Sequence, residues 1–177
     1  APDVKLDRDA IANAAQRLNG RIVDTPVLPL HGEALGLPHR LTLKLENLQH
    51  SGSFKARGAM NALLCAEVAS EGVVAASGGN HGAAVAWAAE RLQYPANIFV
   101  PSVISSRKLE KLKSYDAQVH VTGREYQDAL SAARQFTESR NCVELHAYDQ
   151  AEVVSGAGTI ALEIDAQVPD ATTVIVA

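Results

Sequence analysis

Cysteine is scarce here: the 177 residues include two, Cys65 and Cys142, and neither has another nearby. That spacing excludes a zinc knuckle and a CxxC redox pair. It suits a reducing compartment, in which one stray disulfide is the most that could form. An excess of basic charge is missing too. The formal net charge is −4 and no block of Lys and Arg stands out, which argues against nucleic acid as a partner. The polar, amphipathic start APDVKLDRDAIANAAQRL has neither the apolar stretch of a secretory signal nor a membrane span. The expectation is a soluble, cytoplasmic protein with no membrane partner. Internal repeats and low-complexity stretches are absent. His31, His39 and His50 lack metal-ligand spacing and read as surface or packing residues. Asp116 and Asp128 do not pair as a two-carboxylate site, and no metal site is expected.

What is present is length and rhythm. With 47% apolar residues the chain can bury a substantial core. Short β-branched runs alternate with alanine-rich helical patterns. A first helix should start at Asp7 or Asp9, either of which can cap it, and stop at Gly20. Pro26 and Pro29 bracket a short extended piece, and Leu41 to Glu46 alternates as a half-buried strand does. A small-residue helix follows from about Lys55 to Ala69. Next come strand VVAAS ending at Ser77, a helix from Ala83 to Leu92, and a strand from Asn97 to Pro101. SSRKLEKLKSYD contains a helix, QVHVTG is strand-like, REYQDALSAARQFTES is helical and NCVELH is strand-like again. TIALEIDAQV reads as helix, and TTVIVA as a buried closing strand. Strands joined by crossover helices give an α/β fold, a mostly parallel sheet with helices on both faces. A buried parallel strand needs neighbours on its sheet, so TTVIVA suggests a piece of a longer chain.

Two strings carry chemistry. Ser51 to Ala59 reads SGSFKARGA, after a strand and at the opening of a helix. A lysine condenses with an aldehyde only while its amine is neutral. Partial burial and nearby positive charge lower its pKa and favour that state, and Arg57 is placed to supply the charge. The small residues around Lys55 let a flat ring approach the backbone, and the amides and hydroxyls at the helix start suit an anion. An isolated lysine in such a place is ordinarily solvated; the whole string changes the reading. Ser77 to Gly82 reads SGGNHG, between a strand and a helix. Such a turn offers free backbone N–H groups and a helix dipole to an anion. It is neither a Walker loop nor a dinucleotide GxGxxG turn. Taken alone, Asn80 and His81 equally suit turn formation and helix capping.

KLENLQ (Lys44 to Gln49), then SGSFKARGA, then SGGNHG closely resemble, in that order, the amino-terminal half of fold-type II pyridoxal-phosphate (PLP) enzymes. The nearest likeness is to the serine/threonine dehydratase family, which holds threonine ammonia-lyases and serine racemases. By that resemblance Lys55 carries the cofactor aldehyde, Phe54 packs against the pyridine ring and Asn80 hydrogen-bonds the ring 3′-oxygen. Ser77, Gly79 and His81, with Asn80, would line the pocket for the amino acid's carboxylate. The activity implied is that of a lyase: β-elimination from L-threonine, L-serine or a related 3-hydroxy amino acid, giving a 2-keto acid and ammonia. The freed amine of Lys55 would take the α-proton.

Other chemistries share the scaffold, among them racemization, β-replacement and the lysis of 3-hydroxyaspartate. Gly78 stands where racemases of the family carry a second serine, and it has no side chain to move a proton. HAYDQAEVVSG (His146 to Gly156) resembles the dehydratase string HPFDDxxVIAG, with Tyr148 where racemases tend to have asparagine. Both departures favour the dehydratase. A non-catalytic anion-binding module is the alternative from a different class, and the two strings in order weigh against it.

The resemblance also implies a tryptophan synthase β-like architecture of two domains. Residues 72–149 would form a small mobile domain, and 1–71 with 150–177 an incomplete large one, the whole protein being a homodimer. The family's phosphate-binding loop and the residue facing the pyridine nitrogen would lie beyond Ala177. These 177 residues are therefore expected to bind PLP weakly and turn over little. Gly156, Gly158 and Thr159 resemble a segment that packs a helix start closely near the cofactor. Lys108, Lys111 and Lys113 form, with Arg107, a stripe expected to be a solvated helix face.

Overall fold

In the computed structural model, which describes residues 6–176, four short strands set the frame: β3 (Val73–Ala76), β4 (Ala96–Val100), β5 (Gln118–Val121) and β6 (Val143–Glu144). They form one parallel sheet in the order β5-β4-β3-β6. Val73 is opposite Ala96 on one side and Val143 on the other. Parallel neighbours require crossovers, supplied here by α3 (Asn80–Arg91), α4 (Ser106–Lys113) and α5 (Tyr126–Ser139).

Side chains alternate across this sheet, so each face has its own core. Val73, Ala75, Ile98 and Val100 join the larger cluster with α2 (Lys55–Cys65) and α3. Val74, Ala76 and Phe99 pack on Ala129 and Ala133 of α5. Burial on both sides explains why β3 is a continuous apolar run and why β4 is apolar but for Asn97, which bonds His120. The expected helices on both faces of a parallel sheet are observed.

Around this sheet lie α1 (Arg8–Leu18), α2 and α6 (Ala151–Gln167), and a two-stranded antiparallel sheet of β1 (Val27–Leu30) and β2 (Leu41–Lys44). Asp7 caps α1, its carboxylate accepting from the Ala10 N–H at 3.0 Å. Helices α2 and α6 cross where Gly58 and Gly156 meet. A Cβ on Gly156 would lie 2.8 Å from Asn61 Cβ and 2.9 Å from the Gly58 Cα. The glycines give up helix propensity for close approach of two backbones.

Several boundaries move. Helix α2 stops at Cys65, because Ala66 turns extended, and α3 starts at Asn80, directly after the extended Gly79. Helix α6 begins at Ala151 rather than at Thr159. Gly156 and Gly158 thus lie inside a helix, and the close packing expected of them is made by its middle instead of its start. TTVIVA is the clear correction. Residues 171–176 form no strand, and Val174, Ile175 and Val176 are 61–86% exposed. No described strand lies beside the segment to share a ladder of hydrogen bonds, so its β propensity has nothing to act on. Residues 1–5 and Ala177, which the sequence reading included, lie outside the described residues.

Candidate active site

The lysine string occupies a tight turn and the first turns of α2. Ser51 takes a left-handed conformation (φ 57°) and Gly52 follows at φ 77°. Ser53 is extended before the chain coils into helix. Gln49 anchors the turn from below. Its buried amide donates to the Val23 carbonyl at 2.8 Å and accepts from the Val23 N–H at 2.9 Å. The His50 ring stacks on Trp87 of α3, with centroids 4.7 Å apart. The hydroxyls of Ser51 and Ser53 are buried and have no hydrogen-bond partner among the described residues.

Lys55 lies half-buried at the start of α2. Its Nζ donates to the Ala147 carbonyl at 2.8 Å and sits 4.9 Å from the centroid of the Phe54 ring. Burial pushes its pKa below the ordinary lysine value. The sequence reading assigned part of that effect to Arg57, and the structure corrects it. Arg57 is fully buried on another side of α2 and is consumed by two carboxylates. Its Nε and Nη2 grip Glu46 at 2.9 and 2.7 Å. Nη1 and Nη2 grip Glu163, and Nη1 also donates to Thr159 Oγ1 at 3.1 Å. Lys44 completes the network by donating to Glu163, Gln167 and the Thr25 carbonyl. Burial alone would raise the Glu163 carboxyl, but the bonds from Arg57 and Lys44 outweigh it and hold it low.

The glycine turn leads into α3. Ser77 Oγ accepts from the Gly79 N–H at 3.2 Å, and a Cβ on Gly82 would strike the Ser77 carbonyl. Gly79 is different: among the described residues nothing but Ser77 Oγ, 3.8 Å away, lies within reach of a Cβ there. Asn80 is exposed. His81 is buried, and its Nε2 lies 3.0 Å from the Leu145 carbonyl. Burial pushes its pKa down to about 4, and the charges of Lys55 and His146 act in the same direction. A neutral ring in contact with a carbonyl must carry its proton on Nε2.

A strap of chain, residues 145–150, thereby joins the two strings. Lys55 holds its Ala147 carbonyl and His81 its Leu145 carbonyl. The strap keeps its own shape. The His146 Nδ1 accepts from the Asp149 N–H at 2.9 Å, while Gln150 accepts from the His146 N–H and donates to the Glu144 carbonyl. Sequence reasoning missed this role, since a backbone acceptor leaves no mark in the sequence. It also missed Lys111, placed on a solvated face, whose Nζ donates to the Ser51 carbonyl at 2.7 Å. Tyr148 is 69% exposed with its ring edge-on to His146.

Comparison with known proteins decides the family. The family model described as pyridoxal-phosphate dependent enzyme matches residues 18–177. This chain belongs to that family. Among curated PLP-family relatives, an L-threonine ammonia-lyase of Geobacter sulfurreducens is 37% identical over 94% of this chain and 42% of its own length. A serine racemase of Oryza sativa subsp. indica is 33% identical over 96% of the chain and 51% of its own length. The crystal structure of a PLP-dependent aspartate racemase superposes with a TM-score of 0.88 at 34% identity, over 96% of this chain and 54% of that one. The fold is thus that of fold-type II PLP enzymes, and the chain spans about half the length of the relatives it matches.

The residues present fit the family's cofactor. An aldehyde needs an amine that is neutral part of the time, and Lys55 is half-buried with a lowered pKa. A flat, anionic, polar ring needs uncommitted donors and room. The orphaned hydroxyls of Ser51 and Ser53 and the open space at Gly79 offer both.

Proposed function

We propose that the protein is a PLP-dependent ammonia-lyase that eliminates water from L-threonine, L-serine or a related 3-hydroxy amino acid, releasing a 2-keto acid and ammonia. The observation that carries this reading is the convergence of Lys55 and His81, from two separate strings, on carbonyls of one strap. When bound, PLP supplies the electron sink that makes the Cα proton of an amino acid removable. Lys55 is the residue that would hold the cofactor's aldehyde, and its Nζ would be the base that takes that proton. Burial lowers its pKa and so favours the neutral amine, and the Ala147 carbonyl holds Nζ in one direction. A positioned base of this kind contributes about a hundred- to ten-thousandfold in rate.

The start of α3 serves the substrate. Its backbone N–H groups, with the Ser77 hydroxyl and the Asn80 amide, suit the carboxylate of an amino acid. Asn80 also suits the 3′-oxygen of the ring, and Phe54 its face. His81 acts differently from a base: its ring is buried, neutral and committed to Leu145. It braces the turn from behind. Gly78 favours elimination over racemization. It offers no acid or base, and a Cβ there would lie 2.9 Å from Ile104 Cδ1, so apolar bulk covers that flank.

The larger organisation follows the same reading. The parallel sheet with α3, α4 and α5 falls within residues 72–149, and α1, α2, α6 and the β1–β2 pair fall outside, which supports a small domain carrying the SGGNHG turn and a larger body carrying Lys55. On the same reading the full-length protein is a homodimer that acts on small amino acids in the cytoplasm. Among the described residues no helix is long and apolar enough to cross a membrane.

The experiment is product analysis on the full-length protein with L-serine, L-threonine and L-threo-3-hydroxyaspartate. Keto acid and ammonia in equal amounts, lost in Lys55→Ala, are expected. Interconversion of serine enantiomers without keto acid would favour the racemase reading instead.

A further inference from the structure

Lys111 stands on α4, beyond β4, yet its Nζ crosses to the lysine turn and donates to the Ser51 carbonyl at 2.7 Å. The contact lies against the backbone itself: a Cβ on Gly52 would come within 3.4 Å of the same Nζ. Lys108 and Lys113 of the same helix make no such bond among the described contacts. The residue it grips is unusual. Ser51 is a buried non-glycine residue with φ 57°, a strained conformation that persists only where its surroundings hold it. Gln49 and His50 fix the approach to the turn, through Val23 and Trp87. Lys111 alone among these ties ends on Ser51.

Four positions after Ser51 comes Lys55, and between them the chain passes through Gly52 and the extended Ser53 into helix. A rotation at the left-handed pair would swing the first turn of α2 and carry Nζ away from the Ala147 carbonyl. We propose that Lys111 is a positioning residue for Lys55: by holding the Ser51 carbonyl it fixes the turn that aims the Lys55 amine. The inference rests on the reading of Lys55 as the cofactor lysine. It adds a group that touches neither cofactor nor substrate, and it ties the aim of the amine to the helix that follows β4.

The side chain that makes this tie is on an exposed residue, so replacing it removes the bond without opening the core. The test treats the full-length protein and its Lys111→Met, Lys111→Arg and Lys108→Met variants with PLP and borohydride in a time series. The rates of label appearing on the Lys55 and Lys113 peptides are then compared. Lys111→Met is expected to slow labelling of Lys55 about tenfold, well inside the roughly hundredfold that a 1 Å misplacement can cost. The Lys113 rate and the melting temperature should stay at wild-type values. Lys111→Arg, which can still donate to a carbonyl, should recover most of the Lys55 rate, and Lys108→Met should not change it. The inference is overturned if Lys111→Met labels Lys55 as fast as Lys108→Met does. It is equally overturned if the slowing comes with a matching loss of melting temperature, which would make the role structural. Wild-type protein that does not label at Lys55 would instead defeat the functional reading on which the inference rests.

Discussion

Arg57 and His81 are two titratable residues beside the candidate site whose side chains are committed to neighbouring groups of the fold. Arg57 uses all five of its N–H groups, four on two carboxylates and one on Thr159. Removing one partner of such a buried pair leaves a charge without compensation and costs about 3–5 kcal/mol. Arg57→Met should therefore lower the stability of the protein by several kcal/mol in urea titration. Arg57→Lys should recover only part of that, since an ammonium cannot grip two carboxylates side by side. The sequence motif located Arg57 correctly but not its orientation, because two residues along a helix point to different sides.

His81 gives a pH signature. Its pKa is about 4 in the fold, against 6.5 unfolded, so the unfolded chain binds the extra proton first. Stability contributed by the neutral ring is complete above pH 6.5 and is lost as pH falls towards about 4. The change is on the order of 3 kcal/mol. His50 and His120, also held low chiefly by burial, add to the same slope. Replacing His81 with glutamine, which can donate to Leu145 without titrating, should flatten most of that slope. A slope unchanged in His81→Gln would mean that the ring titrates normally.

At the scale of elements, the crossing of α2 and α6 decides where Lys55 stands relative to the Arg57 network. A methyl group at position 156 would meet the Arg57 carbonyl at 2.7 Å and the Gly58 Cα at 2.9 Å. Neither backbone atom can step aside cheaply. Gly156→Ala should cost about 1–3 kcal/mol by overpacking, although alanine is the better helix former. A melting temperature at or above wild type would show that the helices can separate.

The elements themselves were largely legible. Strands β3 and β4 announce themselves as largely apolar runs, β5 by alternation, and α3 and α5 by alanine-rich patterns. Ends were less so. The sequence starts α6 eight residues late because Gly156 and Gly158 resemble a segment at a helix start, and only the α2 backbone against Gly156 and Ile11 of α1 against Gly158 reveal a helix interior. TTVIVA has the composition of a buried strand, but burial needs a neighbour that composition does not supply.

For the whole molecule, the candidate site was legible where it is local in sequence. SGSFKARGA and SGGNHG each hold their candidate side chains within a few residues. What joins them is not local: the Ala147 and Leu145 carbonyls and the Lys111 bridge come from residues far along the chain. If both strings serve one cofactor, its binding must stabilise the entire fold. PLP at a hundred times its dissociation constant should add about 2.7 kcal/mol, seen as a higher melting temperature that Lys55→Ala largely loses.

The most direct test of Lys55 as the cofactor lysine is to trap PLP on the protein with borohydride and map the modified peptides by mass spectrometry. The account predicts one dominant pyridoxyl group, on Lys55, and its disappearance in Lys55→Ala with the rest of the map unchanged. Label spread over Lys108, Lys111 and Lys113, at the same level whether or not Lys55 is present, would contradict it.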